Sequence, residues 1–281
     1  MSSNTVIATG RLVEAATITA VSEAAAGNMG VINLKHVQPR RRWRATSLSG
    51  IDVTFDLAAA MVATGITSYQ LIALPYVSAT PAATFEVFTD TTQGGLASSG
   101  TADYYSGSLP VWRDTDTPRI ARQHVWLWLP APRTDSWVRI KITDAANPAG
   151  YVDVGNAIID LGYNPTLPLV PASPMAGVQE EVREVVTSVG VRHRQRRPRP
   201  RTRSFTLQAV GDSARAEFED NVLALEELRG VSESVFVLLD HSPTSRAQNV
   251  ALYGLMDRLS TVHLGDPWHR YDCQIDITEL L

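Results

Sequence analysis

Asp52-Val53-Thr54-Phe55-Asp56-Leu57 alternates polar and apolar residues, which places Val53, Phe55 and Leu57 on one face of a strand. A strand with one apolar face needs partners that bury that face, and the flanking sequence supplies them. Thr17–Val21, Ser68–Leu74, Thr84–Phe88, His124–Leu129, Trp137–Ile142 and Tyr151–Val154 carry the same period or are rich in strand-forming residues. Clusters of Gly, Ser, Thr, Asp and Pro separate them. Many short strands spaced this way predict an antiparallel β-sandwich. Ala58–Ala63 has the composition of one helical turn, and Thr91–Asp116 reads as a long loop holding at most one short strand.

The pattern stops at Asn164-Pro-Thr-Leu-Pro-Leu-Val-Pro-Ala-Ser-Pro-Met-Ala-Gly177. Proline lacks a backbone donor and fixes φ, so four of them in this stretch exclude a helix or a central strand. Residues 164–177 are therefore expected to link a sandwich at 1–163 to a second domain at 178–281. In that domain Arg183–Val191 and Ser204–Val210 read as the arms of a long hairpin. A helix of about 213–229 follows, capped by Asp212 or Ser213 and stopped at Gly230. Ala214, Phe218, Val222, Leu225 and Leu228 form its apolar stripe, and Glu217, Glu219, Asp220, Glu226 and Glu227 its polar face. Val235–Leu239 and Val250–His263 are expected strands. In Tyr271–Ile277 the residues Tyr271, Cys273, Ile275 and Ile277 should face the core. The expected class is thus mainly β, a sandwich plus a β domain covered by one helix.

Composition narrows the function. An apolar fraction of 44% with 19% charged residues fits a folded globular protein. The single cysteine, Cys273, excludes an intramolecular disulfide framework. The first residues lack the basic start and apolar core of a secretory leader, and no run approaches the roughly 18 apolar residues of a membrane span. Synthesis in a cytoplasm is the expectation. No Gly-x-Gly-x-x-Gly, Gly-Lys-Ser/Thr or Gly-x-Ser-x-Gly motif is present, so the sequence suggests no enzyme and no cofactor. Asp240-His241-Ser242 holds the residue types of a nucleophilic triad, but three consecutive residues cannot converge as one; polar residues at a strand end are the simpler reading. His263, Asp266, His269, Asp272 and Cys273 cluster near one turn without the spacing of a zinc site, so no metal is expected there.

Two features could mediate binding. The run from Arg192 to Arg203 contains Arg192, Arg194, Arg196, Arg197, Arg199, Arg201 and Arg203 and no carboxylate, in a chain whose formal charge is −4. Such asymmetry points to a macromolecular partner. Contact with another subunit or an acidic partner, a solvated loop, and nucleic acid are the readings; the acidic body and the absence of interleaved aromatics disfavour the last. The other feature is a set of loop aromatics, Tyr104, Tyr105 and Trp112, which could stack on sugar rings or fold back onto the sandwich. Trp126 and Trp128 share a strand face, where packing is the default.

A resemblance joins these features. Ala16-Thr-Ile-Thr-Ala-Val-Ser-Glu23, Asn33-Leu34, Arg42-Trp43-Arg44-Ala45 and Asp52–Leu57 follow the motif order of galactose-binding-like (discoidin-type) jelly rolls. Tyr69–Leu74, Ala82–Phe88, Trp137–Ile142 and Tyr151–Asn156 resemble their later strands. Ala45 and Ala58 stand where those domains usually have serine and glycine. The tail of the chain (strand, basic segment, strand, helix, strand, hairpin) resembles tail-tube-like or distal-tail-like modules at the tail tip of long-tailed phages. The resemblance implies a non-enzymatic virion component in a homo-oligomeric ring, trimeric or hexameric. The tube, hub and tape-measure proteins would be its neighbours, and its sandwich would dock tail proteins or host glycan. It also implies a role for the arginines in pairing with carboxylates of a neighbouring subunit, for which their planar, two-point guanidinium suits them. The alternative is a carbohydrate-binding adhesin without a ring role.

Overall fold

The computed structural model describes residues 5–24, 28–113, 123–165, 175–178, 182–186, 192–196, 200–210, 234–242, 244–259, 263–265 and 270–281. The strands are β1 (Val6–Ala8), β2 (Thr17–Ala20), β3 (Trp43–Ala45), β4 (Ile51–Asp56), β5 (Tyr69–Val77), β6 (Thr84–Asp90), β7 (Tyr104–Tyr105), β8 (Leu109–Pro110), β9 (Gln123–Arg133) and β10 (Trp137–Thr143). They continue with β11 (Val152–Val154), β12 (Ile158–Asp160), β13 (Met175–Val178), β14 (Val182–Val186), β15 (Arg192–Arg196), β16 (Arg201–Val210), β17 (Ser234–Leu238), β18 (Leu252–Leu259), β19 (His263–Gly265) and β20 (Arg270–Glu279). Three α-helices accompany them among the described residues: α1 (Arg11–Ala15), α2 (Ala58–Thr64) and α3 (Ser245–Val250). The protein is mainly β, as the alternation predicts. None of the described helices is long and apolar enough to cross a membrane.

The chain forms two compact units, Asn4–Asn164 with Val235–Leu252, and Met1–Ser3 with Pro165–Ser234 and Tyr253–Leu281. The first is a jelly-roll sandwich. One sheet runs β2-β4-β10-β6-β7, with β8 also on β6; the other runs β12-β5-β9. In β4 the alternation operates as read: Ile51, Val53 and Phe55 are buried and the residues between them partly exposed. They meet Val138, Ile140, Phe85 and Val87 of the same sheet and Tyr69, Ile72, Leu74, Val125 and Leu129 of the opposite one. Trp43 and Leu34 close the core at one end. Leu34 comes from a 3₁₀ turn, Val31–Lys35, and Trp43 from β3, which pairs with β11. The helical turn expected at Ala58–Ala63 extends to Thr64, where Gly65 at φ 72° supplies the left-handed stop.

Residues 235–252 were expected with the second domain, but they group with the sandwich. The reason is a second buried face. Strand β5 is buried along nearly its whole length, on both sides of the sheet, a pattern that demands cover on each face. The outer cover comes from β17, which pairs with β1 in the register Val6↔Leu238, Ile7↔Val237 and Ala8↔Phe236, and from the residues that follow it. Phe236 meets His124 edge-on at 5.7 Å, and His124 meets Tyr76 in the same way at 4.9 Å. The long strand expected over Val250–His263 is found as β18 from Leu252 to Leu259; before it, Ser245–Val250 forms α3, which Thr244 caps by accepting at Oγ1 from Ala247 N–H at 3.1 Å. Gln248 of α3 is buried, and its amide donates to Val111 O (2.8 Å) and His124 O (3.0 Å) while accepting from Arg113 N–H (2.8 Å). The segment 91–113 also departs from expectation. It holds a 3₁₀ turn, Gln93–Ala97, and two two-residue strands rather than at most one.

In the second unit β18, β20, β16 and β13 form an antiparallel sheet, with β19 on β20. Cys273, Ile275 and Ile277 are buried and Gln274 is exposed, as the alternation of the last strand requires. The hairpin is shorter than expected and differently composed. Its arms are β14 and β15, so Arg192–Arg196 is strand, and Ser204–Val210 belongs to β16, which pairs with β20 and β13. A two-stranded ribbon has no obligatory buried face, so a polar stretch can form one. The helix expected at 213–229, with Glu217, Glu219, Glu226 and Glu227, lies outside the described residues.

Gln248→Ala leaves two carbonyls and one amide without their partners in a dry site. It is expected to destabilise the protein by about 3 kcal/mol or more, at roughly 1–3 kcal/mol for each of the three groups left unpaired. Urea unfolding of the variant beside the parent protein checks this.

Candidate functional site

Three places bear on function: the loop aromatics, the arginine run, and a cavity that the sequence alone did not reveal. Tyr104 and Tyr105 form β7 and pair with Thr89 and Phe88 at the far end of β6. Tyr105 stacks on Phe88 with centroids 4.8 Å apart, and its hydroxyl donates to Glu86 Oε1. Arg139 lies over the same Phe88 ring at 5.2 Å, and its Nε donates to Asp52 Oδ1 at 3.0 Å. Lys141 pairs with Glu86 at 3.3 Å. Tyr105 is thus built into a network on the outer face of the sheet. Its bond holds the Glu86 carboxyl below the usual range, aided by Lys141 and Arg139 and opposed by burial. The tyrosine hydroxyl is in turn pushed up, chiefly by that same bond.

Tyr104 packs against the core, with Arg133 at 6.0 Å from its ring. Trp112 also packs against the core and donates from Nε1 to Ala79 O at 2.9 Å. It follows β8, which pairs with Thr84 and Phe85 at the other end of β6. The fold therefore brings Tyr104 and Tyr105 together but leaves Trp112 several residues along the strand from them. All three fold back onto the sandwich.

The arginine run divides. Arg192, Arg194 and Arg196 occupy alternate positions of β15, opposite Val186, Glu184 and Val182 of β14. Arg201 and Arg203 begin β16. Arg201 is spoken for within the chain: its Nη2 donates to Glu279 Oε1 at 2.8 Å and its backbone N–H to Glu279 Oε2 at 3.0 Å. Burial lowers the Arg203 pKa, as does the charge of Arg201, against the opposing pull of Glu279. Arg197 and Arg199 lie outside the described residues.

The cavity lies beside β9, within the first unit. It has a volume of about 300 Å³ and is lined by Leu109, Pro110, Arg113, Leu127, Trp128 and His241. Trp126 and Trp128 share the outer face of β9, as alternation predicts, and they differ in use. Trp126 is 1% exposed and donates from Nε1 to His241 O at 3.2 Å. Trp128 is partly exposed and stacks on the His241 ring, 5.0 Å between centroids and 21° between planes. The Asp240-His241-Ser242 segment is a turn after β17, in which Asp240 Oδ1 accepts from Ser242 N–H at 2.9 Å. Arg113 lies 3.8 Å above the Trp126 ring and donates from Nη2 to Trp126 O at 2.6 Å. Burial lowers its pKa to about 10.

A wider, open depression of about 780 Å³ lies among Glu23, Asn28, Asn33, Arg40, Arg41 and Arg42. Glu23 accepts there from Val31 N–H at 2.8 Å, and Asn33 donates to Arg42 O at 2.9 Å, so two of its polar groups hold the loop itself. Among the described residues no group of three or more His, Cys, Asp and Glu side chains is placed to hold a metal ion. Asp266 and His269 of the sequence cluster fall outside them.

No protein-family model matches the sequence, and none of the curated proteins is similar enough in sequence to match. Among solved structures the chain is similar to CpGH89CBM32-6 produced by Clostridium perfringens, at 12% identity and a TM-score of 0.32, covering 52% of this chain and 92% of that one. It is similar to chitosan-binding module 1 of a chitosanase/glucanase from Paenibacillus sp. IK-5, at 15% identity and a TM-score of 0.35, covering 53% and 97%. It is also similar to a fucolectin from striped bass (Morone saxatilis) serum, at 8% identity and a TM-score of 0.38, covering 96% and 92%.

The Tyr105–Glu86 bond sets a pH test. A carboxyl held low in the fold stabilises it above the unfolded-state pKa, and that contribution is lost as pH falls through the folded pKa. In Tyr105→Phe the Glu86 pKa should rise toward the ordinary carboxylate value. Carboxyl-carbon NMR titration of the two proteins reads the shift directly. An unmoved Glu86 would mean that Lys141 and Arg139 alone hold it.

Proposed function

We propose that the protein is a structural subunit of the tail tip of a long-tailed phage, without catalytic activity. In this reading it assembles with copies of itself into a ring through the second unit, and the jelly roll serves as a docking or adhesion domain. It would be made in the host cytoplasm and end in the virion, beside tube, hub and tape-measure proteins. The observation that carries the reading is the β14–β15 ribbon. Among the described strands each of its two strands pairs only with the other, which leaves both outer edges open to a strand from a neighbour. The same ribbon holds Arg192, Arg194 and Arg196, in a chain that is acidic as a whole. Edge pairing supplies backbone hydrogen bonds, and arginine–carboxylate pairs fix which edge and which register. A glycan-binding adhesin is the second reading; what favours it is the aromatic cavity at Trp128 and His241.

Light scattering of the purified full chain at low and high salt tests the assembly. The expected result is a closed oligomer that loosens as salt rises, and a monomer with an unchanged circular dichroism spectrum when Arg192, Arg194 and Arg196 are all replaced by glutamate. A parent protein that stays monomeric at every concentration and salt would overturn the ring role, and glycan binding would then become the leading reading.

A further inference from the structure

The open depression of about 780 Å³ is lined by three consecutive arginines, Arg40, Arg41 and Arg42, and all three are exposed. Glu23 is the one carboxylate of the lining, so three cations against one anion leave a local formal charge of +2 in a chain of −4. One Glu23 oxygen is already engaged by Val31 N–H. Elsewhere in the sandwich cations are neutralised where they stand. Arg44 meets Asp153 at 2.7 Å, Arg133 meets Asp135 at 2.7 Å, Arg139 meets Asp52 at 3.0 Å and Lys141 meets Glu86 at 3.3 Å. The arginine turn differs. Arg42 Nη1 reaches Asp153 at 3.7 Å, and that carboxylate already accepts two shorter bonds from Arg44. The Arg41 guanidinium has no hydrogen bond or ion pair among the described residues, so its N–H groups are free to donate.

The turn that presents these side chains is fixed at its root. Pro39 and Trp43 on either side of it are buried. Arg41 N–H donates to Gln38 O at 3.1 Å and Arg44 N–H to Met29 O at 3.1 Å. The buried Asn33 amide donates to Arg42 O and to Asn28 O, which ties the turn to the opposite wall. Main-chain bonds thus hold the position, and the guanidiniums of Arg41 and Arg42 remain at the surface of the depression.

The lining also selects among anions. A carboxylate spends its two oxygens on the fork of one arginine, whereas a phosphate has oxygens for more than one. No aromatic ring is among the lining residues, so the depression has no platform for a sugar ring or a nucleobase. Ile32, which is 56% exposed, and Met29 supply an apolar flank beside the cations. A bare phosphate ion leaves that flank uncovered; the carbon part of an ester covers it.

From this juxtaposition we infer that the depression is a binding site for a phosphate ester, with Arg41 and Arg42 donating to the phosphoryl oxygens, Arg40 adding charge and Ile32 lying against the alcohol part. The site lies wholly in the first unit and does not depend on the assembly proposed above: a monomeric protein could have it, and a ring could lack it.

The test titrates the purified full chain with glycerol 1-phosphate at constant ionic strength, read by NMR shift changes and calorimetry, with acetate, glycerol and inorganic phosphate as controls. Glycerol 1-phosphate is expected to bind more tightly than acetate or glycerol by about tenfold or more, and more tightly than inorganic phosphate. Arg41→Gln together with Arg42→Gln should remove that advantage without changing the circular dichroism spectrum, since the turn is held by main-chain bonds. Arg192→Gln, on the ribbon of the second unit, should leave it unchanged. Vesicles of phosphatidylglycerol set against phosphatidylcholine identify the source: cosedimentation with the first alone assigns the ester to a lipid headgroup, and cosedimentation with neither, beside binding of glycerol 1-phosphate, assigns it to a soluble molecule. Four results would each overturn the inference: no binding of glycerol 1-phosphate at millimolar concentration, equal binding of acetate, equal binding of inorganic phosphate, or a loss on Arg192→Gln as large as that on the double replacement.

Discussion

The Gln248 amide is the interaction on which most of the first unit's particular form depends. A sandwich sheet that faces water on its outer side needs no further cover, but the β5–β9 sheet is apolar on that side as well. Residues 235–252 provide the cover, and covering a sheet creates a polar problem. Three backbone groups, the carbonyls of Val111 and His124 and the amide of Arg113, converge on one buried side chain. One carboxamide, carrying two donors and an acceptor, answers all three. With α3 seated in this way, β17 pairs with β1 and His241 comes to rest on Trp128. The cavity beside β9 is a consequence of that seating.

The sandwich was legible because its strands are buried on one face. Val53, Phe55 and Leu57, or Val138, Ile140 and Ile142, declare themselves by period alone. Strand β5 was legible as a strand but not as doubly covered, although Leu71-Ile-Ala-Leu-Pro-Tyr-Val77 carries that signal: seven residues without a charged side chain. Long-range partnership was what the sequence withheld. Nothing local in Ser234–Leu238 says that it pairs with Val6–Ala8, more than two hundred residues earlier. The α3 helix had a readable cap in Thr244, but six residues are too few for a helical period to show.

The candidate sites divide along the same line. Tyr104, Tyr105 and Trp112 stood out as large aromatics in a loop, yet each has its partner within the sandwich, because a loop next to an open sheet face lowers its free energy by covering it. Arg113 did not stand out, since a lone arginine in a loop is ordinary. Its placement over the Trp126 ring is not local in sequence. The arginine run stood out by composition and then proved mixed. Arg201 closes a pair with buried Glu279, whereas Arg192, Arg194 and Arg196 sit on a strand that, among the described residues, pairs only with β14.

That division separates two uses of the same side chain. Arg201 and Arg203 stand in the central sheet of the second unit, where a guanidinium must be neutralised within the chain or pay for its burial, and Glu279 meets the first of them. A two-stranded ribbon by itself has no interior and makes no such demand. The arginine run therefore divides between a sheet, where Glu279 anchors Arg201, and a two-stranded ribbon. The ring role proposed above would draw on the ribbon, where Arg192, Arg194 and Arg196 recur at every second position of a strand in a chain that is acidic as a whole.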